Sequence, residues 1–308
     1  MADGANRNGG EARGLALKIL FTGATGLLGG AMVEAFLSAG HDLRCLVRKD
    51  SPNAPRLAGK EVEIARGDVR SERDLRRAFS GMDAVAHVAG IEFAPVVVSA
   101  MQSEGVERLL AVSSTSYHSR FEFRSRPKAE MEGVVKSSGL SWTVVRPAMI
   151  YGSELDKNVH KLLRFLDRLP AFPMFGDGGN LWQPVFFEDC AKGACEALMR
   201  EGAARETYDL PGSRPLTYDD LVKTAAGAMG SKPRIVHLPI EPVRRGLELA
   251  ERLRLPLPIK SEQVARLRED KAYPYEKAKE ELDYSPRTFG EGVALEVRRL
   301  VEIGMVRG

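Results

Sequence analysis

Three glycines near the start of the chain constrain its fold more than any other feature. Gly23, Gly26 and Gly29 stand between an apolar run rich in strand formers and a stretch with helical spacing that stops at Gly40. In such a context the first glycine permits a tight turn, the second lets a backbone approach a pyrophosphate, and the third lets the helix pack on the sheet. The pattern predicts a dinucleotide site, with the backbone of Ala24–Leu28 and the helix N-terminus against the phosphates.

Strand-like and helix-like stretches alternate about once every 25 residues through the first half of the chain. Six runs favour strands: Leu17–Gly23, Asp42–Arg48, Val62–Val69, Asp83–Gly90, Arg108–Thr115 and Ser141–Gly152. One of the intervening helices has Ser71 at its N-cap position. Such alternation implies right-handed crossovers and a doubly wound parallel sheet. We therefore predict an α/β Rossmann domain over residues 16–152.

The pattern loosens after residue 152. Asp189 and Thr217 are predicted to cap two helices, and Val243–Arg254 is predicted to form a basic amphipathic helix. We expect residues 153–308 to form a smaller α/β substrate lobe, partly interleaved with the sheet. Residues 1–15 are polar and glycine-rich without an apolar segment, so they are expected to be a disordered tail rather than a signal peptide.

Composition narrows the function classes. The net charge is +3 over 308 residues and the two signs are interspersed, which argues against nucleic-acid binding. Cys45, Cys190 and Cys195 lack the neighbours of a zinc site, and we expect buried reduced thiols, no metal and a cytoplasmic location. No apolar run approaches the ~18 residues that would indicate a transmembrane helix.

The end of the second predicted strand reads Arg48–Lys49, where the fold would place the adenosine ribose. An acidic residue there favours NAD, whereas arginine suits the 2′-phosphate of NADP. We predict that NADP(H) is preferred over NAD(H), with Arg48 as the phosphate contact. A solvated basic loop is the alternative for this pair, and Asp50 leaves NAD(H) open.

From Lys18 to about Val293 the chain resembles the extended and atypical short-chain dehydrogenase/reductases, the NAD-dependent epimerase/dehydratase family. The stretches that carry the resemblance are TGATGLLG, GDV, AVAHVAG, VSST, VVRPAMIYG and GDGGNLWQPVFFEDCAKG, in that order. The segment DKNVHKLLRFL and its continuation also resemble the 39-kDa-type accessory subunit of respiratory complex I.

The resemblance implies a set of site residues. The expected cofactor contacts are Gly23, Thr25, Gly26, Leu27, Leu28, Gly29, Arg48, Asp68, Val69, Val88, Ala89, Gly90, Ser113, Lys128, Pro147 and Met149. The expected catalytic residues are Thr115, or Ser114 beside it, at the end of the fifth strand, and Lys128, at the lysine position of the family's Tyr-x-x-x-Lys pair. The tyrosine position of that pair holds Arg124, which cannot act as a general base. Tyr117 is a nearby candidate to replace the tyrosine, and a packing role is its alternative.

Two function classes remain open at this stage. One is an NAD(P)-dependent oxidoreductase or epimerase/dehydratase acting on a nucleotide-sugar or small carbonyl compound. The other, favoured by Arg124, is an NADPH-binding structural, assembly or redox-sensing protein without turnover. The resemblance also leaves a homodimer open, and the basic helix leaves open a peripheral membrane or protein partner.

Overall fold

A computed structural model describes residues 16–253 and 266–307. The predicted tail at residues 1–15 and the end of the predicted basic helix at residue 254 lie outside this range. The strands are β1 Lys18–Thr22, β2 Asp42–Val47, β3 Val62–Arg66, β4 Ala84–His87, β5 Arg108–Val112, β6 Ser141–Pro147, β7 Ile150–Tyr151, β8 Ala171–Phe175, β9 Leu181–Trp182, β10 Val185–Phe186, β11 Glu206–Leu210, β12 Leu216–Thr217 and β13 Arg234–Leu238. The helices are α1 Leu27–Ser38, α2 Glu72–Phe79, α3 Ala94–Glu104, α4 Glu122–Lys136, α5 Val159–Arg168, α6 Phe187–Met199, α7 Tyr218–Ala228, α8 Ile240–Arg252, α9 Glu276–Leu282 and α10 Phe289–Glu302.

The main sheet has seven strands in the order β11-β6-β5-β4-β1-β2-β3. Every neighbouring pair is parallel, which confirms the doubly wound arrangement. The chain reverses its direction of growth between β1 and β4, and in such sheets ligands bind at this point, beyond the carboxyl ends of the strands. The edge strand β11 comes from the second half of the chain and pairs with β6.

Helices cover both faces of the sheet because successive strand side chains point to opposite sides. Ile19 and Phe21 of β1 belong to one apolar core with α1 and α6, whereas Leu20 belongs to a second core with α2 and α3. A third core joins α5, α7 and α10 beyond the sheet. The short pair β7–β10 links residues 150–151 to the second half of the chain, and the pairs β8–β13 and β9–β12 lie within that half.

Two glycines explain the geometry of the turn between β1 and α1. Gly23 has a φ of +79°, and a Cβ there would lie 2.7 Å from the backbone nitrogen of Ala89. A Cβ at Gly29 would lie 2.1 Å from the carbonyl oxygen of Gly23. Real side chains do not tolerate such contacts with backbone, so this crossing of helix and turn requires glycine at both positions.

Local capping predictions had mixed outcomes. Ser71 and Thr217 accept hydrogen bonds from the backbone N–H groups three residues later, as predicted. The prediction that Asp189 caps a helix is wrong, because α6 begins two residues earlier with Phe186 at the N-cap. The Asp189 carboxylate instead accepts hydrogen bonds from the Arg287 backbone N–H and guanidinium, each at 2.9 Å.

The three cysteines are buried free thiols, as predicted. Burial raises their pKa values, in the case of Cys45 to about 12, so these thiols are poor nucleophiles. Within the described residues, no helix combines the length and apolar character that crossing a bilayer demands.

Candidate cofactor and substrate site

A cleft of about 500 Å³ lies over the glycine turn at the carboxyl edge of the sheet. It is bounded by the turn after β1 and by the residues that follow β2, β3 and β4. Of the predicted cofactor contacts, eight line it: Gly23, Thr25, Gly26, Arg48, Asp68, Val69, Val88 and Ala89. The structure thus brings together residues from four separate strand ends, as the parallel topology requires.

The helix that faces this cleft has an open N-terminus. Gly26 is the N-cap residue of α1, and neither a side-chain cap nor an acidic residue occupies its first turn. The first backbone N–H groups of a helix lack intrahelical acceptors and carry the positive end of the helix dipole, which suits an anion. Of the predicted contacts in this turn, Leu28 is buried in the core and Gly29 packs on Gly23, and neither residue lines the cleft.

Two arginines, Arg48 and Arg70, line the part of the cleft that follows β2 and β3. Arg48 is exposed and lines it together with Arg70, Ser51 and Asn53. Arg70 Nη2 lies 2.6 Å from Asp68 Oδ2. Hydrogen bonding from Arg70 lowers the pKa of Asp68 to about 2, so this carboxylate is charged at neutral pH. Sequence reasoning missed Arg70, although its position two residues after Asp68 was a usable signal.

A buried histidine, His87, lies at the end of β4 and is hydrogen-bonded to Thr22, which lines the cleft. His87 Nε2 lies 2.8 Å from the carbonyl oxygen of Gly90, which can only accept, so Nε2 carries the proton. Nδ1 then accepts a hydrogen bond from Thr22 Oγ1 at 2.7 Å. Burial lowers the pKa of His87 to about 4, which keeps the ring neutral. This contact joins the ends of β1 and β4 beneath the turn.

A second cavity, of about 400 Å³, lies at the ends of β5 and β6. Two predicted site residues, Thr115 and Met149, line it. Thr115 is buried and opens a short 3-10 turn after β5. The cavity is also lined by the side chains of Ser114, Ser116, Asn158, Trp182 and Glu269, and by the positively charged Arg124, Arg266 and Lys271.

The predicted lysine and its arginine neighbour lie on α4. Arg124 lines the second cavity and donates from Nη2 to Ser116 Oγ at 3.1 Å. Lys128 lines neither cavity, and its Nζ lies 3.8 Å from a carboxylate oxygen of Glu92. The two side chains therefore take different directions from one helix.

The remaining predicted residues line neither cavity: Leu27, Gly90, Ser113, Tyr117 and Pro147. Gly90 adopts a φ of +133° after β4, and Pro147 is the buried last residue of β6. The Ser113 N–H donates to the Val145 carbonyl at 2.8 Å. Tyr117 does not line the second cavity; its ring lies over the guanidinium of Arg146, 3.5 Å from centroid to Cζ.

A segment near the end of the chain also lines the second cavity and was missed by sequence reasoning. Its lining residues are Arg266, Leu267, Glu269, Lys271 and Tyr273, all remote from Thr115 in sequence. Lys271 Nζ lies 3.6 Å from the ring centroid of Trp182, and burial lowers its pKa to about 8. Nothing in the local sequence around these residues signals a site.

Comparisons with known proteins agree with this geometry. Residues 23–163 match a family model described as NAD(P)H-binding. The ceramide reductase of Caulobacter vibrioides is 27% identical over 251 residues, covering 74% of this chain and 75% of that protein. The mitochondrial NADH dehydrogenase (ubiquinone) 1 alpha subcomplex subunit 9 of Arabidopsis thaliana is 26% identical over 272 residues, covering 80% of this chain and 66% of that protein.

Solved structures share the fold. The UDP-glucose 4-epimerase of Thermotoga maritima, solved with UDP-glucose, has a TM-score of 0.73 at 19% identity and covers 93% of this chain and 99% of that one. Residues 23–163 thus match an NAD(P)H-binding domain, and the chain shares its fold with this UDP-glucose 4-epimerase.

Proposed function

We propose that this protein binds NADP(H) and exchanges hydride with a small carbonyl compound or with the sugar carbon of a nucleotide-sugar. The observation that carries the proposal is the succession of two cavities along one sheet edge. The first lies over the glycine turn, and the second contains Thr115 at the end of β5. A dinucleotide with its phosphates over the glycine turn would direct its reactive ring toward the second cavity.

The residues present fit the cofactor. The turn leaves no room for side chains at Gly23 and Gly29, and the helix N-terminus behind it accepts an anion. Arg48 and Arg70 stand where a 2′-phosphate would be bound, which favours NADP(H) over NAD(H). The bound cofactor would supply or accept the hydride. Lys128 would contact its ribose near the nicotinamide, and Thr115 would donate a hydrogen bond to the substrate oxygen.

The second candidate is a protein that binds NADPH without turnover. Arg124 supports it, because the side chain at the family's tyrosine position is a cation that holds Ser116 rather than an acid–base group. The similarity to the plant NADH dehydrogenase subunit supports it too. A homodimer, a peripheral partner for α8 and a cytoplasmic location belong to the proposal for either candidate.

Binding and turnover separate the two candidates. The purified protein is titrated with NADPH and with NADH, and NADPH oxidation is then followed with 9,10-phenanthrenequinone, methylglyoxal and other carbonyls, and product formation with UDP-glucose. We expect NADPH to bind more tightly than NADH and at least one substrate to turn over. Tight NADPH binding with no turnover would favour the second candidate, and failure to bind either nucleotide would refute both.

A further inference from the structure

We propose that Tyr273 is the acid–base residue of the second cavity. It would replace the tyrosine that the short-chain dehydrogenase/reductases carry at the position of Arg124 on α4. The inference rests on the proposed hydride exchange and names the group that completes it. Arg124 occupies the family position but cannot release a proton at neutral pH. The protein must therefore supply a titratable hydroxyl from elsewhere, and Tyr273 does so within the same cavity.

The backbone of Tyr273 is held in place by hydrogen bonds to the segment around β9. The Lys271 N–H donates to the Leu181 carbonyl at 2.7 Å. The Tyr273 N–H donates to Gln183 Oε1 at 2.7 Å. Gln183 is itself buried and donates from Nε2 to the Gly212 carbonyl at 2.8 Å. A proton donor needs such a fixed position, because small displacements reduce catalysis steeply.

Tyr273 lines the second cavity together with Thr115. The Thr115 side chain favours the Tyr273 phenolate, and the Tyr273 ring packs against His118 with centroids 5.7 Å apart. The residue that the family uses to hold a substrate oxygen is thus adjacent to the proposed proton donor. Paired hydroxyl groups of this kind can both contact one carbonyl oxygen.

Charges of both signs act on Tyr273. Arg124 lines the cavity and favours the phenolate, whereas Glu269 and Asp209 oppose it. The Glu269 carboxylate is already engaged by Ser119 Oγ at 2.8 Å and the Arg120 N–H at 2.7 Å. His118 pairs with Asp209 at 2.9 Å. The effect of burial is larger than that of Arg124 and raises the pKa of Tyr273. The phenol therefore carries its proton at neutral pH.

Because the phenol of Tyr273 is protonated, it can act as the acid when a carbonyl is reduced. In the reducing direction the bound cofactor would supply the hydride, which would add to the substrate carbonyl carbon. The carbon–oxygen π pair moves to oxygen, which takes the proton from Tyr273 Oη. The remaining phenolate would be stabilised by Arg124 and would regain a proton from water. In the oxidising direction the phenolate accepts the proton of the substrate alcohol.

Tyr273→Phe tests the proposal, with Tyr275→Phe as the matched control. Tyr275 is two residues away, and its hydroxyl donates to the Ser213 carbonyl at 3.0 Å outside the cavity lining. The probes are 9,10-phenanthrenequinone, methylglyoxal and UDP-glucose. We expect Tyr273→Phe to lower kcat by roughly 10²–10⁴-fold without changing NADPH affinity or melting temperature, and Tyr275→Phe to leave all three unchanged.

A second readout does not depend on turnover. The ultraviolet absorption of tyrosinate is followed against pH with and without NADP⁺, whose positive ring would favour a nearby phenolate. We expect NADP⁺ to move one tyrosine ionisation to lower pH, and this step to be absent from Tyr273→Phe but present in Tyr275→Phe. A step that persists in Tyr273→Phe, or no NADP⁺-dependent step at all, would overturn the proposal.

The outcomes also separate this inference from the proposed function. If the wild type turns over and Tyr273→Phe keeps a kcat within twofold, the inference is overturned and hydride exchange stands. If the wild type binds NADPH and turns over none of the probes, hydride exchange is overturned and the role of Tyr273 with it.

Discussion

The aromatic ring of Tyr117 covers the guanidinium of Arg146, with 3.5 Å between the ring centroid and Cζ. On its other side Arg146 forms a two-pronged ion pair with Glu132, with Nε at 2.9 Å and Nη2 at 2.6 Å. Both charged side chains are buried, and they tie the end of β6 to α4. Tyr117 therefore shields a buried ion pair beneath the second cavity, and this contact uses its ring rather than its hydroxyl.

Replacement of Tyr117 should therefore affect stability rather than chemistry. Tyr117→Phe keeps the ring, and we expect turnover and unfolding free energy close to those of the wild type. Tyr117→Ala removes a desolvated cation–π contact and should cost about 2 kcal/mol. Chemical denaturation and steady-state kinetics measure the two effects. A Tyr117→Phe variant that folds normally but loses turnover would restore Tyr117 as the acid–base candidate.

Stability should depend on pH through His87. Its native pKa of about 4 lies below the ordinary value of 6.5, so the unfolded state binds more protons between these values. The contribution is fully present above pH ~6.5 and is lost as pH falls toward 4, by ~3 kcal/mol in all. His87→Gln should flatten this part of the profile of unfolding free energy against pH. Parallel wild-type and variant profiles would contradict the assignment.

The glycine turn offers a matched pair of variants. A Cβ at Gly26 would meet only the Gly23 carbonyl oxygen, at 3.4 Å, and Gly26 lines the cleft. A Cβ at Gly30 would meet the Ala24 carbonyl oxygen at 3.6 Å, and Gly30 is not among the lining residues. We expect both alanine variants to fold, and Gly26→Ala alone to weaken NADPH binding, by about tenfold or more. Equal affinities, measured by calorimetry, would place the pyrophosphate elsewhere.

Cofactor preference should reside in Arg48. A hydrogen bond to a charged group contributes ~1.5–3 kcal/mol, which corresponds to about tenfold or more in affinity. Arg48→Ala should lose this factor for NADPH and leave NADH nearly unchanged. Lys49→Ala is the control, because Lys49 is equally exposed and does not line the cleft. Equal losses for both nucleotides would mean that Arg48 does not contact the 2′-phosphate.

Lys128 should matter for cofactor binding through its charge. Its Nζ lies 3.8 Å from a carboxylate oxygen of Glu92, a separation long enough for the ammonium to turn to a ribose. Lys128→Met should weaken NADPH binding by about tenfold, the effect of one charge-assisted hydrogen bond. Lys192→Met, at an exposed position of α6, should have no effect. Unchanged affinity in Lys128→Met would remove Lys128 from the site.

Much of the cofactor half of the molecule was predictable from the sequence because its signals are local. A strand, a glycine-spaced turn and a helix follow one another within residues 17–40, and each glycine has a backbone reason that the structure bears out at Gly23 and Gly29. Parallel topology then brings the ends of successive strands to one edge. The strand ends were predicted too long, because Asp68 and Gly90 stand in the loops that follow β3 and β4.

The second cavity was decided by tertiary structure. Thr115 was predictable as a strand-end residue, but Lys271 and Tyr273 reach it only because their segment hydrogen-bonds to β9 and to Gln183. The same holds for β11, which comes from the second half of the chain and forms the edge of the sheet beside β6. Hydrophobic periodicity and motif spacing indicate the secondary structure that a segment adopts. Which distant segment completes a cavity depends on the packing of the whole chain, and no local pattern encodes that.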